Sequence, residues 1–251
     1  MSEHPIKPII PDWEAPARIR AFSTTRSGGV SEGDFHSLNL AMHVEDDPQH
    51  VRTNRQHLVR DLELPQQPEW LQQTHSTRVI LLDQQSERDG DAAITSTPGQ
   101  VAVVLTADCL PVLLCNRQGT EVAAAHAGWR GLLNGILEQT VMSMQSSATQ
   151  ILAWLGPAIG PQKFEVGNDV RQAFLHRDEE LEPCFASTRP GHYLADLYAI
   201  ARFRLKKHGV ESISGGDFCT YSEPELFYSY RRQPRTGRQA SLIYINKNPS
   251  D

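Results

Sequence analysis

Cysteine is scarce in this chain, four residues in 251, and none stands in a C-x-x-C pair. Cys109, Cys115, Cys184 and Cys219 make no dense disulfide framework, and they suit reduced thiols in a cytosol. Long apolar runs are missing as well, since no stretch approaches the ~20 residues that cross a bilayer. The first residues, MSEHPIKPIIPDW, lack the charged-then-apolar layout of a secretion signal. There is no strong basic run and the net charge is −6, so neither nucleic acid nor an anionic membrane is expected as a partner through bulk charge. Internal repeats, heptads and low-complexity linkers are absent too, which excludes solenoids and coiled coils. A cytoplasmic globular protein with no obligate protein partner is the resulting expectation.

What is present is a hydrophobic fraction of 39%, enough in 251 residues for a sizeable core. Strands are predicted at Arg20–Thr25, Val79–Asp83, Val101–Leu105, Val112–Asn116, Glu121–His126, Ile151–Leu155 and Ala240–Ile245. Helices are predicted at Pro48–Leu62, Leu132–Met144, Val170–His176 and Leu197–His208. Asp47 and Asp196 read as N-caps, and Gly209 as the residue that closes the last helix. The strands at 101–105, 112–116 and 121–126 are joined by short turns, which favours antiparallel pairing over βαβ crossovers. The expected fold is one α+β domain over residues 1–251 with mixed, mainly antiparallel sheets. Residues 1–12 and 247–251 read as loose tails.

One apolar run contradicts its own pattern: VVLTADCLPVLLC, residues 103–115, carries Asp108, Cys109 and Pro111 at its centre. A buried carboxylate needs a partner, and Pro111 is expected to stop the strand ladder there. His126 closes the strand EVAAAHAGWRG, where alanines and Gly128 and Gly131 let backbone and ligand approach closely. A helix starting just after it would set N–H groups beside Arg130. His75 sits in the polar turn WLQQTHSTRV, where functional side chains often emerge. Taken together, His75, Cys109 and His126 offer one thiolate and two imidazoles. Three protein ligands with a fourth position open is the arrangement of a catalytic zinc. The same atoms also suit a nucleophile and base, Cys109 with His126, with Asp108 to orient the histidine. His4, His176, His192 and His208 lie in polar surroundings or near element ends, and the seven-residue spacing of His36, His43, His50 and His57 is broken by Pro48.

Several motifs in order, TTRSGGVS, SLNLAMHVEDDP, WLQQTHS, TADCLPVLLC, HAGWRG, LGPAIGPQKFEVGNDV, GGDFCTYSEPELFYSYRR and TGRQAS, span Thr24 to Ile245. Their order resembles the YfiH-type family, also called laccase-domain or multicopper polyphenol oxidase-like proteins, and purine nucleoside phosphorylases of the YfiH class. The resemblance implies a layered α/β/β/α unit of mixed sheets, related to a cysteine-hydrolase-like toxin domain. It also implies that His75, Cys109 and His126 bind zinc. The activities it implies are phosphorolysis of adenosine, inosine and methylthioadenosine, deamination of adenosine, phenol oxidation, and editing of peptidoglycan precursors through Cys109 and His126.

Purine nucleoside and phosphate are the expected partners. Arg26, in a glycine-flanked turn, and Arg130 are the candidates for phosphate, with Asp108 moving protons. Tyr230-Arg231-Arg232 is a weaker third candidate for phosphate and reads first as a solvated charge cluster, and GPAIGP, with two prolines and no Walker lysine, reads as a rigid turn in the pocket wall. Multicopper oxidation is disfavoured because no two histidines are two positions apart, although copper can take the zinc site. A zinc-stabilised binding protein without catalysis is the reading outside enzymology.

Overall fold

The computed structural model describes residues 5–247. Its framework follows from the apolar stretch that ends at His126. Strands β5 (Leu110–Asn116) and β6 (Val122–Ala127) pair antiparallel, and every one of their residues is buried. Side chains alternate across a strand. Leu110, Val112 and Leu114 of β5 therefore enter one core, and Leu113 and Cys115 the core on the other side. A sheet buried on both faces must be covered twice, and that requirement sets the architecture.

The central sheet has six strands, in the order β11 (Ser212–Gly215), β7 (Ile151–Leu155), β5, β6, β3 (Ala92–Thr95) and β2 (Val79–Leu81). Its outer pairs are parallel and its inner pairs antiparallel. Helices α2 (Trp129–Asn134), α3 (Ile136–Ser143), α4 (Asn168–Arg177) and α5 (Leu197–Lys207) share one core with it through Leu132, Ile136, Phe174 and Ile200. The opposite face packs on an antiparallel sheet ordered β1 (Ile19–Ser23), β12 (Gln239–Ile245), β4 (Ala102–Thr106), with Ile19, Val104 and Ile243 against Leu113 and Trp154. That smaller sheet is covered on its outer side by α1 (Pro48–Asp61), through Leu58 against Val103 and Leu242. The layers are thus α/β/β/α, in the α+β class expected. A third, small sheet, β8 (Glu165–Gly167), β10 (His192–Ala195) and β9 (Phe185–Arg189), joins the helical core through Val166, Ala195 and Phe185. No described helix is long and apolar enough to cross a membrane.

The helix caps are those expected. Asp47 accepts from the Gln49 amide and Asp196 from the Ala199 amide, and Gly209 follows α5 with φ +86°. Four expectations are corrected. The helix predicted over 132–144 is two helices, because Gly135 turns the chain at φ +99°. Residues 5–12 are not loose: Ile6 is buried, and Ile9 exchanges two backbone hydrogen bonds with Ser23. The expected looseness of 1–4, with His4, and of 248–251 concerns residues outside the described ones.

The third correction concerns β4, which does not pair with β5. The chain leaves one sheet for the other through Ala107–Cys109, where Asp108 takes a left-handed φ of +84°. Pro111, the fourth, lies inside β5 opposite His126, so the break falls at Asp108 rather than at the proline. Strands β3, β8, β9, β10 and β11 were not predicted; they have three to five residues each, and three of them carry little apolar alternation.

Leu114→Ala removes a fully buried side chain from the helical core. It is expected to cost about 2–5 kcal/mol, read from urea unfolding. A cost within about 0.5 kcal/mol, as at a surface position, would contradict the two-sided burial of β5.

Candidate metal centre

Sheet register builds the site. Pro111 pairs with His126 across β5 and β6, and Ala92 with Ala125 across β3 and β6. Cys109, His126 and Asp91 therefore meet at one end of the central sheet, each at or just beyond a strand terminus. His75 arrives from the loop before β2 with φ +61°, a left-handed conformation uncommon outside glycine. Its Nε2 lies 3.8 Å from Cys109 Sγ. The His75 and His126 rings stand edge to face, 4.8 Å between centroids and 73° between planes. One donor atom from each of His75, Cys109 and His126 lies within 4.8 Å of the other two, and the three residues form a group that can hold a metal ion.

Nδ1 of His126 donates to Asp91 Oδ1 at 2.8 Å, which leaves Nε2 as its free donor atom. Asp91 is fully buried, and its carboxylate also accepts from the amides of Thr74, His75 and Ser76 and from the Ser76 hydroxyl. Burial raises its pKa, but the bonds from His126 and Ser76 outweigh that and hold it below the usual carboxylate range. Burial likewise raises the Cys109 thiol, but the His126 charge and the two imidazole contacts reverse the shift and lower it to about 6. The His126 imidazole goes the other way, to about 9: burial lowers it, and Cys109 and Asp91 overcome that. Cys115, six residues on in the core, shows the contrast, its thiol pushed up to about 12 by burial.

This donor set fits a soft-to-borderline divalent ion. One sulfur poised as thiolate and two imidazoles converge, one of them with its second nitrogen committed to a carboxylate. Gly128 keeps the space open: a Cβ there would come within 2.8 Å of Cys109 Sγ and 3.2 Å of a His75 ring carbon.

The three donors face a cavity of about 450 Å³ walled by Trp129, Phe164 and Tyr230 and edged by Arg130, Arg231 and Arg238. Arg130 is exposed, with its guanidinium 4.4 Å from the Trp129 ring centre. Arg231 and Arg238 spend donors on backbone carbonyls, of Glu165 and of Thr236 and Gly237. Thr106 adds a buried hydroxyl with no hydrogen-bond partner among the described residues. Ile159 of the GPAIGP turn lines the same cavity, its amide bonded to the Asp108 carbonyl.

Two sequence candidates sit elsewhere in role. Arg26 donates three times to the carbonyls of His36 and Pro224 and stacks on Tyr228, so its guanidinium is committed to the fold, away from the cavity. Asp108 does not orient His126: its carboxylate accepts from the Thr220 hydroxyl and the Arg231 amide, tying the loop that carries Arg231 to the elbow before Cys109. Asp91 takes the orienting place. Sequence reading passed over it because RDGDAA looks like an ordinary polar turn, and nothing in its spacing links it to His126, 35 residues away. Arg231, read as solvated, reaches the cavity over the Phe164 ring.

The family described as multi-copper polyphenol oxidoreductase laccase matches residues 20–246. A purine nucleoside phosphorylase of Pseudomonas aeruginosa is 52% identical over 238 residues, 94% of this chain and 98% of that protein. The purine nucleoside phosphorylase YfiH of Escherichia coli K12 is 52% identical over 241 residues, 95% and 99% of the two chains. The crystal structure of a Neisseria meningitidis protein, 46% identical, matches with a TM-score of 0.91 over 95% of this chain and 99% of that one. With sequence and fold matched over almost the whole length, the chain belongs to the YfiH family, the one described as multi-copper polyphenol oxidoreductase laccase.

Proposed function

We propose that this chain is a zinc-dependent purine nucleoside phosphorylase acting on adenosine, inosine and methylthioadenosine, with adenosine deaminase activity. The observation that carries the reading is the His75–Cys109–His126 cluster opening into a cavity with aromatic walls and arginine edges. The relatives named purine nucleoside phosphorylase, at about half identity over nearly full length, support the same activity. The chain acts as a single domain, a reading supported by the core that its two large sheets share.

Phosphorolysis forms a bond from a phosphate oxygen to the ribose C1′ and breaks the bond from C1′ to the purine nitrogen. The purine leaves with the electron pair and takes up a proton. Trp129, Phe164 and Tyr230 offer faces on which a purine can stack. Arg130, whose guanidinium makes no protein hydrogen bond among the described residues, takes the phosphate in preference to Arg26. His75, Cys109 and His126 would hold the zinc, which would supply Lewis-acid polarisation. Copper can occupy the same donors, since thiolate and imidazole bind it more tightly than zinc. A multi-copper reaction is disfavoured, because a single His/Cys group is found among the described residues.

A second reading rests on a specific observation. Cys109, His126 and Asp91 stand in the order nucleophile, base and orienting carboxylate. That arrangement suits an amidase that edits a peptidoglycan precursor.

Metal-analysed protein given inosine and phosphate is expected to yield hypoxanthine and ribose 1-phosphate, with Cys109→Ser reducing turnover at least about 100-fold. No turnover with zinc bound sinks the phosphorylase reading, and release of serine from a nucleotide-linked precursor selects the amidase. Arg130→Ala is expected to raise the KM for phosphate roughly 10- to 100-fold, the loss of about 1.5–3 kcal/mol from a charged hydrogen bond. An unchanged phosphate KM removes Arg130 from that role. Gly128→Ala is expected to displace zinc, measured by metal content after dialysis, because its backbone (φ −61°) accepts alanine and only the cluster is crowded. Full zinc occupancy in that variant would count against the cluster as the metal site.

A further inference from the structure

Asp91 stands where no sequence motif or comparison draws attention, yet more of the site converges on it than on any ligand. Its carboxylate accepts five hydrogen bonds. Oδ1 takes the His126 Nδ1 proton at 2.8 Å and the His75 amide at 3.0 Å. Oδ2 takes the Thr74 amide at 3.2 Å and the Ser76 amide and hydroxyl, both at 2.6 Å. Its own carbonyl accepts the His126 amide at 2.7 Å. Three successive amides pointing at one anion form a nest, and here the anion belongs to the protein. The nest holds His75 at φ +61°, a left-handed conformation that non-glycine residues seldom adopt.

We infer that Asp91 is the positioning residue of the metal centre, a single carboxylate that sets both histidine ligands at once. Through Oδ1 it fixes the ring of His126, with Nε2 turned to Cys109, and the backbone of the loop that delivers His75. The two ligands are 51 residues apart in sequence and belong to a loop and a strand. One shared oxygen links them more directly than any contact between their own backbones. The inference rests on the metal reading given above.

The chemistry is specific to an ionised carboxylate. Asparagine has nearly the same shape, but its amide nitrogen donates. Whichever way it turned, an N–H would face either the backbone amides of residues 74 and 76 or the His126 nitrogen and the His75 amide. A carboxylate accepts at both oxygens and donates at neither, which this position demands.

Zinc affinity, measured by chelator competition on the full chain, tests the inference, with the melting temperature of the zinc-free protein as a second readout. Asp91→Asn is expected to weaken zinc binding by about 10–100-fold. Ser76→Ala, which removes one bond to Oδ2 and leaves His126 untouched, is expected to weaken it by a few-fold. Glu121→Gln is the control: Glu121 is also buried and also accepts backbone amides, from Gln145 and Ser146, but in a different pocket. It is expected to lower the melting temperature and leave zinc affinity unchanged. With cobalt in place of zinc, the thiolate-to-cobalt absorption of the parent is expected to shift in Asp91→Asn.

Parent-like zinc affinity in Asp91→Asn overturns the inference, as does an equal loss in Glu121→Gln, which would make the effect one of general stability. If Asp91→Asn does not fold, Ser76→Ala decides by the same criterion. An unmodified chain that binds no zinc overturns the metal reading itself, an outcome distinct from tight zinc binding that ignores Asp91.

Discussion

The antiparallel register that sets Pro111 opposite His126 governs this molecule. It brings the end of β5 level with the end of β6, and the next register, Ala92 opposite Ala125, adds the start of β3. Because β5 and β6 are buried on both faces, these ends are where polar chemistry can enter the sheet without being enclosed by apolar side chains. A slip of one residue would turn every side chain of β5 to the opposite core and carry Cys109 away from His126. The two-sided core thus protects the register, and the register assembles the site.

Two buried aspartates then do different work around the same end of the central sheet. Asp91 collects donors from the histidine side, and Asp108 collects them from Thr220 and Arg231 on the C-terminal side. Both obey the rule that a buried charge must be paired or fully hydrogen-bonded. Between them, Cys109 lies near His126, which stabilises its thiolate form against the burial that would otherwise suppress it. The contrast with Cys115 is instructive, since that thiol lies in the apolar core between the sheets, where burial pushes it up, whereas Cys109 lines the cavity beside two imidazoles. Reactivity here is a property of position at the sheet end.

Much of the fold was legible in the residues. Strong apolar runs marked the long central strands, and Asp47, Asp196 and Gly209 marked helix ends by capping chemistry that acts within a few residues. The short strands were not legible. AAIT and SISG bury or half-bury side chains without a distinctive pattern, and they are strands because a neighbour supplies the hydrogen bonds. The same reason hid the separation of β4 from β5. Both are apolar, and only packing decides that Ala107–Cys109 carries the chain between two sheets instead of around a hairpin.

Sequence by itself determined the donor types: one cysteine and two histidines in glycine- and alanine-rich or turn settings, and an aspartate and proline interrupting an apolar strand. Residue chemistry is local, so these can be read without coordinates. Tertiary structure alone decided which carboxylate serves which histidine, exchanging Asp108 for Asp91. It also committed Arg26 to backbone carbonyls and brought Arg231 to the cavity. Hydrogen bonds between residues 35 or more positions apart carry no mark in the chain, because their geometry exists only once strand register has brought the partners together.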